Sequence, residues 1–207
     1  MKIQLTTLFA SIAFAGVALA APQTFDFKDP KSVNNVVFKL DAPLESISGS
    51  ATGISGTIVF DPENPASTKG KIVVASESLV VPNPMMKGVL HGKDWLDVAK
   101  NPEITFEAKE LKNVKTQGDT TTADAVGTFT LKGVSKELTI PVKLTHLKDK
   151  LGQRLQGMPN APQGDLLVVR STFTIKRSDF NIQPHQHEDK VAENIELTLS
   201  IAGASPK

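Results

Sequence analysis

The sequence contains no cysteine, and tryptophan occurs only once, at position 95. Without cysteine the chain forms no disulfide and has no thiol for nucleophilic catalysis or metal binding. An excess of charge of one sign is also missing, because 23 Lys and Arg residues face 22 Asp and Glu residues, a formal net charge of +1. Nucleic-acid binding requires a basic surface, so this balance argues against a nucleic-acid partner.

A long apolar run occurs only near the N-terminus. Lys2 precedes an apolar stretch that ends in Ala18-Leu19-Ala20, an A-x-A cleavage pattern. This arrangement predicts a secretory signal peptide over residues 1–20, and the apolar run is short for a membrane span. We therefore expect one exported domain over residues 21–207 without a membrane span. A retained N-terminal anchor is the alternative.

Recurring amphipathic helices are missing from the sequence, which argues against parallel β-α-β units. Apolar and polar residues alternate instead, with turn residues between the runs, and this alternation predicts an all-β fold of antiparallel strands. A barrel and a sandwich both fit the pattern. The eight alternating runs are 36–40, 56–60, 71–81, 103–111, 126–131, 137–146, 166–177 and 194–203.

The apolar side of these runs carries no regularly spaced carboxylate, so a cavity enclosed by them would be apolar. An eight-stranded barrel either fills its interior with side chains or holds one small ligand. Large apolar residues of the runs, and of the segment that precedes residue 96, are the candidates to line such a cavity: Phe38, Phe60, Leu90, Trp95, Phe106, Phe129, Leu131, Val142, Phe173 and Leu197.

The stretch from His91 to Leu111 interrupts the alternation. Its first half predicts a short helix that contains Trp95 and ends before Pro102, and its second half predicts a strand. A short helix with one large amphipathic ring suits the closure of a barrel end. If the strands close into a barrel, we expect Trp95 and Leu96 to pack onto its end.

Motifs for catalysis are few. The sequence has no G-x-S-x-G elbow and no Gly-rich phosphate loop. In "QPHQHEDK", His185 and His187 stand two residues apart, and His91 or His146 is the candidate third ligand that a catalytic zinc site needs. An exposed turn after the proline explains the same stretch, so the pair is a weak metal signal.

The stretch "IKRSDFNI" places Arg177, Asp179 and Phe180 where a strand ends. One interpretation is a polar contact at the mouth of a barrel. The other is a strand end at which Phe180 packs into the core, because an exposed Arg–Asp pair contributes little stability by itself.

Several motifs follow one another in a characteristic order. With them, residues 33–201 resemble the YceI-like, lipocalin-like family. The motifs are Gly56-Thr57 with Phe60-Asp61-Pro62, Asp94-Trp95-Leu96 with Pro102 and Thr105-Phe106, the turn Leu131-x-Gly133-Val134, and Arg177-Ser178-Asp179-Phe180.

The resemblance implies an extended antiparallel lipocalin-like barrel of about eight strands, with one or two short helices, located in the periplasm. It implies non-catalytic binding or transport of a long-chain isoprenoid or similar fatty, amphiphilic lipid in the barrel lumen, with no cofactor. Relatives commonly carry His, Arg and Ser where this chain has Val89, His91 and Gly92. The resemblance therefore also implies a changed contact with the ligand's head group.

Three questions stay open from the sequence. A homodimer is neither indicated nor excluded. A metal-dependent enzyme built on His185 and His187 is one alternative function. A stress or structural protein whose barrel interior is packed solid is the other.

Overall fold

A computed structural model describes residues 21–207, so the predicted signal peptide lies outside the described residues. No helix of this described part is long and apolar enough to cross a membrane. It contains ten strands: β1 Gln23–Asp26, β2 Asn35–Asp41, β3 Ser46–Ala51, β4 Ile54–Phe60, β5 Lys69–Ala75, β6 Glu103–Gln117, β7 Thr120–Leu131, β8 Val134–Leu147, β9 Gly164–Lys176 and β10 Asn194–Pro206. Two α-helices, α1 Pro84–His91 and α2 Leu151–Arg154, lie between strands, as do three 3-10 turns at Pro65–Ser67, Ser76–Ser78 and Ser178–Phe180.

The strands form one antiparallel sheet that closes on itself. Its order is β1-β4-β5-β6-β7-β8-β9-β10-β2-β3, and β1 also pairs with β10. β1 and β2 lie end to end along β10, because Asp26 faces Ala204 and Asn35 faces Ser200. β4 and β3 pair with β1 and β2, so the wall of the barrel has eight strand positions. The predicted all-β antiparallel barrel is confirmed.

The β7–β8 turn shows how local sequence sets the pairing register. Leu131 pairs with Val134, which leaves a two-residue turn of Lys132 and Gly133. Both turn residues have positive φ, 50° and 72°, which matches the twist of a tight hairpin. Glycine adopts this conformation without steric cost, so the "LKGV" motif determines which side chains of β7 and β8 face inward.

The helix is displaced from its predicted position. The helix expected from His91 to Asn101 was wrong: α1 covers Pro84–His91, and Trp95 lies in a series of turns after it. The Asn83 side-chain oxygen accepts hydrogen bonds from the amides of Met85 and Met86 and so caps the helix start.

Backbone geometry explains why the helix does not continue through the tryptophan. Gly92 ends α1 in an extended conformation, and Asp97 has a φ of 46°, in the left-handed region. The amides of Lys100 and Asn101 donate to the Asp97 carbonyl and form further turns. Local hydrogen bonds within turns thus replace the backbone hydrogen bonds of the α-helix that the composition of this stretch favours.

Asn34 bridges the break between β1 and β2. Its side chain is 3% exposed, and its amide nitrogen donates to the carbonyl oxygens of Phe27 and Ala202, each at 3.0 Å. Its amide oxygen accepts from the Ala202 amide at 2.9 Å. The side chain therefore makes the two hydrogen bonds with Ala202 that a residue of a neighbouring antiparallel strand would make.

The loop that carries Asn34 is held by Asp29. The Asp29 carboxylate accepts from the amides of Val33 at 2.8 Å and Asn34 at 3.1 Å, and from Arg154 Nη2 at 3.0 Å. Burial raises the pKa of Asp29, but the backbone hydrogen bonds and the Arg154 charge lower it more, so the pKa lies below its usual value. The ionised carboxylate thus anchors the loop at the barrel seam.

One end of the barrel is packed solid. Phe25 and Phe27 are fully buried there, and the rings of Phe25 and Phe60 lie 5.8 Å and 5.9 Å from the His146 ring, centroid to centroid. Asp165, also buried, accepts from the Asp149 amide and from Lys207 Nζ, both at 2.9 Å. We call this the closed end.

We expect Asn34→Ala to lower the free energy of unfolding by about 3 kcal/mol, because buried backbone groups at the seam lose their partners. Chemical denaturation measures this loss. Asn35→Ala is the matched control, because the Asn35 amide only donates to the Val33 carbonyl at an exposed position. A loss at Asn34 no larger than the loss at Asn35 would contradict the role of the side chain in closing the seam.

Asp165 makes stability depend on acid pH. Burial raises the pKa of Asp165, but hydrogen bonds from the Asp149 amide, Lys207 and Gln23 lower it more, to about 2. Because the folded pKa is below the unfolded value of 3.8, the stabilisation is present above pH 4 (roughly) and is lost as the pH falls towards 2. It amounts to about 2 kcal/mol.

The difference in unfolding free energy between the native chain and Asp165→Asn should therefore shrink as the pH is lowered from about 5 to about 2. Denaturation at a series of pH values measures it. Asp149→Asn is the control, because the Asp149 side chain is 65% exposed and shares the Lys207 contact. A pH-independent difference at Asp165 would count against the assignment.

Candidate functional site

An apolar cavity of about 400 Å³ lies inside the barrel. Pockets for small molecules typically measure about 300–1,000 Å³, so the space is large enough to hold a ligand. Inward-facing residues of β2 to β10 line it, together with residues of the segment 79–98 and of the loop after β9. The barrel interior is therefore not packed solid along its whole length.

Nine of the ten residues predicted to line a lumen do line this cavity. Eight of them lie on seven different helices and strands, and Trp95 lies in the turns after α1: Phe38, Leu90, Trp95, Phe106, Phe129, Leu131, Val142, Phe173 and Leu197.

Phe60 is the exception among the predicted lining residues. It is 2% exposed and faces the barrel interior, but it packs at the closed end against His146. Alternation correctly indicates its inward direction. It does not indicate its height along the barrel axis, which depends on the stagger of the strands.

Sequence alternation missed the lining residues that do not lie on regular strands. Leu79, Val81, Leu96, Ile182 and Val191 line the cavity from turns and loops. Leu79 and Val81 lie in the alternating run 71–81, but β5 ends at Ala75, so the direction of these side chains depends on contacts with the barrel end and not on a strand period. For Leu96, the motif Asp94-Trp95-Leu96 was the sequence feature that indicated packing at the barrel end.

Polar side chains are scarce around the cavity. Besides the Trp95 ring with its indole N–H, only Thr68, Asn83, Thr105 and Arg177 carry polar groups among the lining residues. The Thr68 hydroxyl donates to the Pro65 carbonyl, and the Asn83 oxygen caps α1. No carboxylate of the described residues lines the space, so they offer no acid–base pair inside.

Arg177 is the one charged residue that the described part of the chain contributes to the lining, and it is fully buried. Its five guanidinium N–H groups donate to the carbonyl oxygens of Ile182, Gln183, Gln186, Val191 and Ala192, at 2.8–3.0 Å. Because all five donors are used, Arg177 holds the loop after β9 and has none left for an anion in the cavity.

The surroundings of Arg177 balance its charge. Glu193 Oε2 lies 4.0 Å from Arg177 Nη2, and the guanidinium carbon lies 5.8 Å from the centroid of the Trp95 ring. Burial raises the pKa of Glu193, but hydrogen bonds from Ser178 and the Arg177 charge lower it more, so the pKa lies below its usual value. Trp95 is therefore held in place beside the cavity by a cation–π contact.

The strand end after β9 matches one of its two predicted interpretations. Phe180 is 1% exposed and packs edge-on against Phe129, with 5.5 Å between ring centroids. Asp179 pairs with Lys136 at 3.0 Å. The sequence analysis did not predict that Arg177 is buried. Its partners are main-chain carbonyls, which every residue has, so no particular residue types mark them in the sequence.

The other end of the cavity is its mouth, where the segment 79–101 crosses the barrel end. Lys132 Nζ donates to the Asp94 and Asn181 carbonyls, which joins this segment to the β7–β8 turn and to the loop after β9. His91 Nε2 lies 2.8 Å from the Leu79 carbonyl oxygen, which fixes the end of α1 beside the entrance.

The two histidines of "QPHQHEDK" lie on the surface. Both have positive φ, 59° at His185 and 57° at His187, and the His185 side chain is 83% exposed. Within residues 21–207 no group of three or more His, Cys, Asp and Glu side chains could hold a metal ion. His91 and His146 occupy separate places, at the mouth and at the closed end.

Comparisons with known proteins agree on one family. The model of the YceI-like domain matches residues 28–202. A UPF0312 protein of Yersinia pestis (strain Pestoides F) is 33% identical over 160 residues, which cover 77% of this chain and 74% of that protein. A UPF0312 protein of Pseudomonas paraeruginosa is 32% identical over 156 residues, which cover 75% and 72%.

Solved structures share the fold at lower identity. Burkholderia cenocepacia BcnA superimposes with a TM-score of 0.64 at 20% identity, over 82% of this chain and 95% of that one. A polyisoprenoid binding domain from Saccharophagus degradans gives a TM-score of 0.62 at 10% identity, over 90% and 100%. At these identities the likeness concerns the fold.

We expect Arg177→Lys to lower the free energy of unfolding by about 3 kcal/mol, because an ammonium group has three donors and no planar fork for five carbonyls. Amide hydrogen exchange should speed up over residues 182–191. Arg170→Lys is the control, since Arg170 is exposed and donates to the Val169 and Ile201 carbonyls. Unchanged exchange over this loop in the Arg177→Lys variant would show that the guanidinium does not hold it.

Proposed function

The chain belongs to the YceI-like family, and we propose that it binds a long-chain isoprenoid, or a similar amphiphilic lipid, in the lumen of its barrel. We further propose that it is exported and acts in the periplasm as a non-catalytic carrier. The observation that carries the binding proposal is the apolar cavity of about 400 Å³ inside a closed barrel.

The walls of the cavity suit a hydrocarbon chain. Transfer of apolar surface from water into such walls contributes about 25 cal/mol per Å², and no directional partner is required. The aromatic rings of Phe129 and Phe173 meet edge to face with 6.1 Å between centroids, so this part of the wall is pre-formed. A solid-core structural barrel is less well supported, because the interior leaves this volume unfilled.

Non-catalytic binding is favoured over an enzyme by the chemistry of the lining. Thr105 is the polar lining side chain without an assigned structural contact, and a lone threonine has no base beside it to activate it. His185 and His187 do not line the cavity and lie in exposed turns, so they do not supply a catalytic base to it. No cofactor is needed for the proposed binding.

The isoprenoid class is supported by analogy. The Saccharophagus degradans domain with the same fold is described as polyisoprenoid binding. A branched isoprenoid chain and a straight fatty chain both satisfy the apolar lining. We name the isoprenoid first because of the description of that neighbouring domain.

The head group of the ligand is expected to remain at the mouth. The cavity interior has no free hydrogen-bond donor at Arg177, and burial of an unpaired charge is costly. His91 contacts the Leu79 carbonyl, and Val89 and Gly92 have no polar side chain. The altered residues at these three positions therefore favour recognition of the chain rather than of the head.

Native mass spectrometry of the protein purified from its own host tests the proposal directly. We expect an adduct of lipid mass that is released by organic extraction and identified by fragmentation. Loading with a purified prenyl alcohol is the complementary arm. Protein that carries no lipid and takes up no prenyl or fatty chain would refute the proposed function.

A pair of alanine positions separates ligand loss from unfolding. Ala125 lines the cavity, whereas Ala123, two residues away on the same face of β7, packs in the core outside it. We expect Ala125→Phe to fold and to lose at least about tenfold in lipid content, because the ring occupies ligand space. Ala123→Phe should instead destabilise the fold by about 1–3 kcal/mol through overpacking. Full lipid content in folded Ala125→Phe would place the ligand elsewhere.

A further inference from the structure

α1 presents large apolar side chains to solvent. Met85 is 80% exposed and Val89 is 54% exposed, and one helical turn separates them. Val80, just before the helix, is 41% exposed. Leu90 packs partly against the barrel core, but contacts with the barrel do not account for the exposed Met85 and Val89. Contiguous exposed apolar residues typically mark an interaction surface.

The same helix borders the cavity. Met85, Met86, Val89 and Leu90 are lining residues, and Met85 and Val89 are exposed to solvent as well. A ligand that leaves the lumen beside α1 therefore meets these side chains last. Whatever covers the outer side of α1 also covers the exit from the cavity.

The charged side chains of the α1 segment itself are all basic. Between Val80 and Lys93 the sequence carries Lys87 and Lys93 and no Asp or Glu, and both lysines are exposed. Acidic residues flank this segment only at Glu77 and Asp94. Apolar side chains with adjacent lysines are the pattern of helices that lie in the interface of an anionic bilayer.

We propose that α1, with Val80, docks the mouth of the barrel onto an anionic phospholipid surface, so that the lipid passes between bilayer and lumen. The transfer of lipid rests on the proposed function, whereas binding of the protein to the bilayer can be measured separately. Met85 and Val89 would enter the boundary between head groups and acyl chains, while Lys87 and Lys93 contact phosphates.

Docking has a physical advantage over release into water. A long apolar chain that crosses water exposes its surface at a cost of about 25 cal/mol per Å². An exit that is pressed against the bilayer lets the chain leave one apolar environment and enter another. The exposed position of Met85 and Val89 thus lowers the barrier to transfer, although it leaves apolar surface in contact with water in the free protein.

Vesicle flotation tests the proposal with full-length mature protein. Vesicles of phosphatidylcholine with phosphatidylglycerol are compared with vesicles of phosphatidylcholine alone. We expect binding to the anionic vesicles, and weaker binding as salt is added. Equal failure to bind both vesicle types would overturn the proposal. Lipid found by native mass spectrometry in that same sample would leave the proposed function standing.

Charge variants separate docking from ligand binding. Lys87→Gln with Lys93→Gln should weaken anionic vesicle binding about 25-fold, roughly fivefold for each lysine, with the lipid content of the protein unchanged. The control is Lys115→Gln with Lys148→Gln, which removes two exposed lysines near the closed end. An equal loss in both pairs would show only general electrostatic attraction and would overturn a specific role for α1.

The apolar contribution has its own matched pair. Val89→Ser should weaken vesicle binding about tenfold, because one valine side chain no longer leaves water. Val59→Ser is the control, since Val59 is 42% exposed on β4 and lies next to Phe60 of the closed end. Identical binding of the two serine variants would contradict insertion of α1, and circular dichroism verifies that both are folded.

Discussion

The barrel depends on the hydrogen-bonded seam between its first and last strands, and Asn34 completes that seam. β10 pairs with β9 along its whole length, but its other edge is shared by the short strands β1 and β2. A buried break in a strand ladder leaves donors and acceptors unpaired, which is costly. The Asn34 side-chain amide donates to and accepts from Ala202 as a peptide unit would, and its second N–H donates to the Phe27 carbonyl, so the side chain substitutes for the missing residue.

Closure of the seam determines what the two ends of the barrel can do. At the closed end, Phe25, Phe27 and Phe60 fill the interior, and the ionised Asp165 ties the strands to Lys207. At the mouth, Arg177 satisfies five carbonyls of one loop and so keeps that loop folded over the barrel end. Between these ends the side chains leave a cavity, because the wall is already held by its own hydrogen bonds.

Much of the wall could be predicted from the sequence, since alternation reports direction with a period of two. Phe106, Phe129 and Phe173 were identified in this way, and they do face the cavity. The short strands β1 and β3 were missed, because four residues are too few to show a period and "SISGSA" carries little apolar signal. The predicted helix was placed too far along the chain. Asn83 caps a helix that starts at Pro84, and the stretch around Trp95 forms turns through local backbone hydrogen bonds instead.

The sequence by itself determined the class of fold and the apolar character of the interior, because these follow from residue type and spacing, and its motifs indicated the family by resemblance. Only the tertiary structure decided that Phe60 closes one end while Phe106 borders the cavity, since strand stagger sets the height of each side chain. Only the tertiary structure showed that Arg177 is saturated by main-chain carbonyls and that α1 exposes Met85. Such contacts join residues far apart in the chain, and no local period encodes them.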